Sequence, residues 1–452
     1  MNKEIIETDV AVIGAGPGGI AAAVSAARQG ARVILVERQG YLGGQLSSGL
    51  PFLAFFDTHQ KRIVGGLAQE MVDCLAALDF GTVGHRYCPL HLSTTSINQF
   101  YTRIVCFQWI KECGIQLLMH CELSDAKVTN GRLQWVRVTG KGMIFEIRAK
   151  VYIDGTGDGD LGYIAGATYE KGHILQPPTL MFNLGGVNFE NFFNYIAAHP
   201  EELLYNVRPD TPSEYNLDFF RNNPDHVFVG LNATVEKLRE QGRCAIDRDT
   251  IIYIRLPIPN HVAVNTIRIL NCDGSNIHDL SRAEMEGHLQ ILPLIEMFRN
   301  YVPGFEDCYL TYIHPTIGIR ESRRIMGIKK LTQGDVLSGT IPIDTVAIFS
   351  YFIDIHSGKD YTTYVKRVKE PYGVPYGCMV SRDIQGLMMT GRCISVDAIA
   401  LGSTRIMTLC MAIGEGAGVG AALAVKQGIE PTDVDTNELR EILKKNGAIL
   451  NT

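Results

Sequence analysis

No two of the chain's eleven cysteines stand as a CxxC pair, and the nearest in sequence are Cys106/Cys113 and Cys113/Cys121. That scatter argues against a zinc site, an iron–sulfur cluster bound by this chain and a disulfide framework. It fits a reducing cytoplasm. Charge of one sign is also lacking. A net charge of −6 over 452 residues gives no field that would draw nucleic acid or an anionic membrane. The N-terminal MNKEIIETD is acidic and leads into a strand, unlike a signal peptide. The apolar stretch over 394–420 is interrupted by Asp397, Arg405 and Glu415, so it does not qualify as a membrane span. The run DGTGDGD at 154–160 has acids at alternate positions, but the later Glu and the helix pair of an EF-hand are missing. No metal is expected. Internal repeats and low-complexity segments are absent. With 46% hydrophobic and 20% charged residues, the composition is that of a soluble globular protein. The length suits about three average domains or two larger ones.

What is present is organised around residues 9–37, DVAVIGAGPGGIAAAVSAARQGARVILVE. Asp9 to Ile13 reads as a short buried strand. Gly14, Gly16 and Gly19 follow in GxGxxG register. Ile20 to Gln29 is Ala-rich and suits a helix that Gly30 ends. Arg32 to Val36 is a second apolar run with Glu37 at its end. This is the β-α-β grammar of a dinucleotide site. Gly14 allows the tight turn, Gly16 lets backbone approach a pyrophosphate, and Gly19 lets helix and strand pack closely. The helix N-terminus offers free N–H groups and a positive dipole end. Glu37 can accept from a ribose 2′-OH and would repel a 2′-phosphate.

After Glu37, Gly43-Gly44 gives a second place for close backbone approach to a phosphate or a flavin, or else a simple turn. The pattern predicts helices over 65–78 and 93–112, the latter capped by Thr95 or Ser96. Strands are predicted over 115–119, 123–129, 133–139 and 143–151, with Asn130-Gly131 as a two-residue hairpin turn. They form a β-meander. The strand Val151-Tyr152-Ile153 then runs into the 154–160 loop, at the strand end where open parallel sheets bind ligands.

From 163 to 375 the composition shifts toward aromatics, Pro, Asn and His. This is read as an α+β domain inserted into a domain built from 1–162 and 376–452. Within it, a helix over 281–300 carries a capping box of Ser281 and Glu284, and strands are expected over 249–258 and 261–270. Gly386 to Thr390 returns to a buried strand ending in Gly391-Arg392. Thr404 to Gln427 is a long helix closed by Gly428. Its Gly414, Gly416, Gly418 and Gly420 follow no strand, so close packing is expected rather than a phosphate loop. No second βαβ fingerprint is present, so no separate NAD(P) domain is expected.

With these pieces in order, the sequence resembles the FAD-dependent oxidoreductases related to the fumarate reductase and succinate dehydrogenase flavoproteins. More narrowly it is similar to the bacterial "FAD-dependent oxidoreductase" group. The likeness is carried by VIGAGPGGIAAAVSAARQGARVILVER, GYLGGQ, YIDGTGDGDLGYIAGA, HPTIGIRESRRIMG, YFIDIH and the stretch from GLMMTGRCISVDAIA to GAALA. The resemblance implies an α/β fold: a Rossmann-like, glutathione-reductase-like FAD-binding domain with its meander, plus a capping domain. It implies FAD at the βαβ unit. Gly14, Ala15, Gly16, Pro17, Gly18 and Gly19 would lie along the pyrophosphate, with Glu37 and Arg38 near the adenosine. Gly43, Gly44 and Gln45 would lie toward the flavin. Leu123 would offer backbone to the adenine, and Thr156, Gly157 and Asp158 would close over the adenosine and pyrophosphate. Gly391-Arg392 would stand beside the ribitol, where relatives often carry Gly-Glu. Thr404, Arg405 and Ile406 would open the last helix against the flavin. No His stands in the Gly43-Gly44 loop, and Gln45 holds that neighbourhood, so non-covalent FAD is expected. The fumarate reductases' substrate pattern of Arg and His is not evident.

FAD exchanges a hydride at N5, and the protein must place the substrate and manage a proton. His356, Arg320 and Arg405 are the candidates for that work, with His314 and Tyr351 behind them. His356 has the pKa range of a general base; a structural imidazole is the other reading. If the IRESRR stretch were helical, Arg320 and Arg324 would share a face with Arg323 close by, and together they would clamp a carboxylate or the flavin. The alternative is an interdomain ion-pair cluster of Arg320, Arg323 and Arg324 with Glu321 and nearby acids. The expected function is hydride transfer between a small organic substrate and FAD. A flavin monooxygenase and a non-catalytic electron-transfer flavoprotein are the rivals. An electron donor or acceptor protein and a homo-oligomer stay open.

Overall fold

The apolar run Val10–Ile13 forms, in the computed structural model, the middle strand of a five-stranded sheet. The strand order is Leu387–Met389, Val151–Asp154, Val10–Ile13, Val33–Glu37, Gln116–Met119. Every neighbouring pair is parallel. All four residues of Val10–Ile13 are buried, as expected of a parallel strand covered on both faces. The structure describes residues 2–208, 210–223, 225–360 and 362–451. It is a mixed α/β fold.

The helix Pro17–Arg28 follows the first strand, and Met407–Gln427 packs across it. The glycines of the long helix make that crossing close. A Cβ on Gly414 would lie 2.2 Å from the Gly18 carbonyl oxygen, and one on Gly418 would lie 2.2 Å from that of Ala22. The close-packing reading of this glycine run therefore holds. One described helix, Met407–Gln427, is long and apolar enough to cross a membrane, and 89% of its apolar window is buried inside the protein.

The meander is a separate sheet in the order Asn2–Glu7, Met143–Arg148, Arg132–Gly140, Glu122–Thr129. Asn130 and Gly131 adopt φ of 50° and 77°, the left-handed pair that a two-residue turn demands. The expected strand over 143–151 is in fact two. Met143–Arg148 pairs with Asn2–Glu7, while Val151–Asp154 pairs with Val10–Ile13. The break falls where the Lys150 and Val151 N–H groups both turn to the Asp9 carbonyl.

Two other boundaries differ from the sequence pattern. Residues 92–95 form a strand, and the helix starts at Gln99, because Asn98 rather than Thr95 or Ser96 is its cap. Asn98 Oδ1 accepts from the N–H groups of Phe100 and Tyr101 at 3.0 and 3.4 Å. The expected helix over 281–300 is also two, Ile277–Leu289 and Ile291–Tyr301. Asn276 caps the first, so Ser281 sits mid-helix and donates back to Ile277 O. Glu284 accepts from Ile317 N instead of closing a capping box. Pro293 falls in the first turn of the second helix, where its missing N–H costs nothing.

A second five-stranded sheet is antiparallel throughout. Its order is Val227–Gly230, Ile251–Arg255, Val262–Val264, Phe182–Gly185, Tyr309–Ile313. It carries its own core, in which Phe192 packs edge-on against Phe228, Tyr253 and Phe305. Core residues of the stretch from Ile325 to Tyr376 pack with the parallel sheet's core instead.

Candidate functional site

A cavity of about 670 Å³ runs between the two cores. One end is the strand-to-helix turn Gly14–Gly18 with Glu37 and Arg38. The other end holds Arg248, Asn265, Arg320, Asp354 and His356. The lining also includes Gly44, Gln45, Leu123, Thr156, Gly157, Asp158, Gly391, Arg392, Arg405 and Ile406. The cofactor and leading catalytic residues named from the sequence thus line one cavity, apart from Gly19, Gly43 and Thr404. Gly19 is behind the wall, where a Cβ would lie 1.9 Å from Gly14 O. Gly43 shapes the loop at φ +92° and donates its N–H to Ala15 O at 2.8 Å. Thr404 is buried beside the wall with its hydroxyl unpartnered.

The turn end fits a dinucleotide. Gly16 has open space where a Cβ would stand, so a phosphate can approach the backbone. The helix begins at Pro17 with no side-chain cap, leaving its first N–H groups free. A second uncapped helix start, at Met407, opens on the same cavity. Glu37 ties the turn to its strand: Oε2 accepts from Ala15 N and Oε1 from Gln39 N, each at 2.8 Å. Burial pushes its carboxyl above the ordinary range.

The DGTGDGD loop is held from inside. Asp154 is buried, and it accepts from Thr156 N at 3.0 Å, Thr156 Oγ1 at 2.7 Å and Gly162 N at 2.9 Å. Burial raises its pKa to about 6 despite those bonds. Asp154 is therefore the loop's frame and not a ligand. Asp158 faces Arg392. Its Oδ1 accepts from Arg392 Nη2 at 3.0 Å and from Ser322 Oγ at 2.6 Å. The arginine where relatives often carry glutamate is thus matched by an acid from the opposite loop. Arg392 Nη1 is buried and has no partner in the protein. Among the described residues, no group of three His, Cys, Asp or Glu side chains is arranged to hold a metal.

Residues 320–323 are not helical, and Arg324–Ile325 is a strand paired with Tyr169–Glu170. The expected face shared by Arg320 and Arg324 does not form. Arg323 pairs with Asp160 at 2.7 Å and Arg324 with Glu321 at 2.9 Å. These two are structural ion pairs. Arg320 stands apart: it donates to Pro177 O and, at 3.4 Å, to Asn265 Oδ1.

His356 is buried with both ring nitrogens engaged. Nδ1 receives Arg268 Nη2 at 3.0 Å, and Nε2 lies 3.2 Å from Asp354 Oδ2. Burial drives its pKa down to about 3; Asp354 opposes the shift, and Arg320 and Arg248 add to it. Arg405 Nη2 donates to the same Asp354 oxygen at 3.0 Å. Burial opposes the Asp354 charge, yet His356, Arg405 and Arg320 together hold its carboxyl well below the ordinary range. His314 lies outside the cavity, with Nδ1 donating to Thr316 O at 2.7 Å. Tyr351 lines the cavity, stacked on Phe352 at 4.1 Å between ring centroids.

Three residues lining this end, Arg248, Asn265 and Asp354, and Arg268 behind His356 were not singled out in the sequence. A signal existed for two. Arg268 interrupts the apolar alternation Ile267-Arg268-Ile269, and Asp354 stands between Ile353 and Ile355. A charge at such a position has a partner or a task.

The family model described as FAD dependent oxidoreductase matches residues 9–443. A thiamine thiazole synthase of Pyrococcus horikoshii is 27% identical over 182 residues, 38% of this chain and 66% of that protein. The thiamine thiazole synthase of Aeropyrum pernix is 49% identical over 51 residues, 11% of this chain and 19% of that protein. The chain therefore spans less than two thirds of the curated relatives it matches. A geranylgeranyl bacteriochlorophyll reductase-like protein of Thermoplasma acidophilum has a solved structure that aligns over 98% of this chain and 84% of its own, at 13% identity and a TM-score of 0.49.

Proposed function

Because the chain belongs to the family of FAD-dependent oxidoreductases, we propose that it oxidises or reduces a small organic substrate by hydride transfer at the flavin. The observation that carries this reading is the single cavity joining the glycine turn to the buried arginine, aspartate and histidine cluster. When bound, FAD supplies the hydride chemistry. Gly14, Ala15, Gly16, Pro17 and Gly18 would hold the pyrophosphate, with Glu37 accepting from the ribose. Thr156, Gly157 and Asp158 would close the nucleotide side, with Gly391 and Arg392 beside the ribitol. Arg405 and Ile406 would present the second helix start to the flavin, where free N–H groups favour negative charge.

At the other end the protein's own residues hold the substrate and its proton. His356 has no free lone pair in this arrangement, so it is a positioning residue that fixes Asp354. Arg320 lines this end of the cavity, and its Nη2 has only a 3.4 Å contact to Asn265 Oδ1. Its N–H groups are donors, so in this reading Arg320 holds the substrate and its proton as a cation.

We take the FAD-binding unit as 1–162 with 376–452 and the capping unit as 163–375. The two separate cores support that division, and the stretch 325–375 serves as the seam packed on the first core. All eleven cysteines are free thiols, which supports a reducing cytoplasm. The kinship to the narrower bacterial "FAD-dependent oxidoreductase" group rests on the TGDGD, IGIRESRRI and IDIH stretches, and the wider link to fumarate reductase and succinate dehydrogenase flavoproteins rests on the resemblance as a whole.

The test is the visible spectrum of the purified protein before and after acid precipitation. Flavin bands passing into the supernatant are expected, followed by anaerobic bleaching with a substrate. Bands held in the pellet would mean a covalent link and overturn the reading of Gln45. Absence of bands, unrestored by added FAD, would overturn the cofactor placement.

A further inference from the structure

We propose that the part of the cavity lined by Arg248, Arg320 and Arg405 is a carboxylate-binding site, so that the substrate is a small organic acid gripped by these three residues. This rests on the reading of the cavity as the place where the oxidoreductase holds its substrate. The observation is an imbalance of buried charge. Arg248, Arg268 and Arg320 are at most 8% exposed, and the Arg405 side chain is 11% exposed. Arg248, Arg320 and Arg405 therefore line one part of the cavity, with Arg268 behind them on His356. One acid, Asp354, lies among them, and it is shared by Arg405 and His356. The other acids nearby are turned elsewhere. Asp249 is taken by Arg208 at 2.5 Å, and Asp247 and Asp360 are exposed to solvent.

The donors are not used up by the protein. Nε of Arg248 and Nε of Arg405 are buried without a partner. Arg248 Nη1 reaches Asn265 O at 3.2 Å, and Arg320 Nη2 has only the long contact to Asn265 Oδ1. Burial and the charge of Arg268 lower the Arg248 pKa to about 9. Leaving such groups unpaired in a desolvated site is costly, and an anion removes the cost. Guanidiniums already fixed in place lose little entropy on binding one, and their forked donors match a carboxylate two bonds at a time. Asp354 sets the charge of the ligand. A dianionic phosphate would meet its carboxylate beside Arg405, whereas a carboxylate brings half the repulsion.

The test uses the flavin-loaded protein and isothermal titration calorimetry. The probes are acetate, propionate and butyrate, with acetamide, propionamide and butyramide as neutral shape controls and inorganic phosphate as the rival anion. Saturable binding of at least one carboxylate, with its amide at least roughly tenfold weaker, is expected because bonds to a charged acceptor are the stronger kind. Arg248→Gln should weaken that carboxylate roughly tenfold or more on the same grounds, while the flavin spectrum shows the variant folded. If Arg248→Gln loses its flavin, Arg320→Lys and the acid-against-amide comparison on the unaltered protein decide instead. Three outcomes overturn the proposal: no carboxylate binding, equal binding of acid and amide, or phosphate binding tighter than every carboxylate. Carboxylate binding by a preparation that never takes up flavin would sink the oxidoreductase placement and leave the anion site standing.

Discussion

Arg268 donates an Nη2–H to Nδ1 of His356 at 3.0 Å, and this one contact decides where the imidazole proton sits. A guanidinium has no acceptor, so Nδ1 must be the unprotonated nitrogen. The proton is left on Nε2, facing Asp354 at 3.2 Å. The residue that the sequence offers as a general base is thereby an orienting group.

Histidine-labelled protein should show this directly. The nitrogen resonances of His356 are expected to report the neutral Nε2–H tautomer, unchanged from pH 8 to pH 5, since burial holds the pKa at about 3. The sign for stability follows. The unfolded chain binds this proton near pH 6.5 and the folded chain does not, so His356 lowers stability progressively as pH falls from 6.5 toward 3. A His356 signal that titrates between pH 6 and 7 would return it to the role of base.

Asp158 and Arg392 make a second prediction. They come from opposite loops and meet at 3.0 Å, with the Asp158 side chain 7% exposed. Removing the acid leaves a guanidinium without its anchor at the nucleotide side of the cavity. Asp158→Asn should weaken FAD binding roughly tenfold, the scale of one charge-assisted bond. Flavin fluorescence during titration of the apoprotein measures it. An unchanged dissociation constant would separate Arg392 from the cofactor.

How far the molecule was legible in its sequence depends on the reach of each interaction. The glycine turn, Glu37 and the Asn130-Gly131 hairpin are set by neighbours within a few residues, and the structure forms them as the pattern implies. The failures are local competitions that a pattern alone does not rank. Asn276 outcompetes Ser281 as a cap, and Asn98 outcompetes Thr95 and Ser96. The arginine cluster was not legible because its members are far apart in the chain. Arg248 and Arg268 flank the strands of the antiparallel sheet, while Asp354 and Arg405 come from the part that packs on the parallel one. Only the meeting of the two sheets brings these charges together.

The close helix crossing gives a third prediction. A Cβ on Gly414 or Gly418 would stand 2.2 Å from a backbone oxygen of the first helix, and backbone cannot swing aside as a side chain does. Gly414→Ala and Gly418→Ala should each destabilise by about 1–3 kcal/mol or more, the cost of overpacking. Gly428→Ala is the control. Its φ of 66° is unfavourable but its Cβ would meet open space, so a loss of about 1 kcal/mol is expected. Thermal denaturation of the three variants ranks them. Equal losses would show that the helices part easily. Gly414→Ala should also lower flavin content, because the carbonyl it displaces belongs to Gly18 in the turn.

Glu415 supplies a prediction with a pH sign. It lies in the middle of the long helix, 3% exposed, where Oε2 accepts from Leu67 N at 3.0 Å. Burial raises its pKa to about 7, and the Leu67 N–H only partly offsets this. The folded protein thus holds a proton that the unfolded chain releases near pH 4.5. Stability from this group is fully present below 4.5 and is lost as pH rises through 7. An amide keeps an oxygen for Leu67 N and cannot ionise. Glu415→Gln should therefore change the melting temperature little at pH 5 and raise it relative to the unaltered protein at pH 8.5. Melting curves of the pair across that range give the difference directly. A gap that stays flat or closes with rising pH would mean that Glu415 is already ionised at pH 5, with a cation or solvent close enough to stabilise its charge.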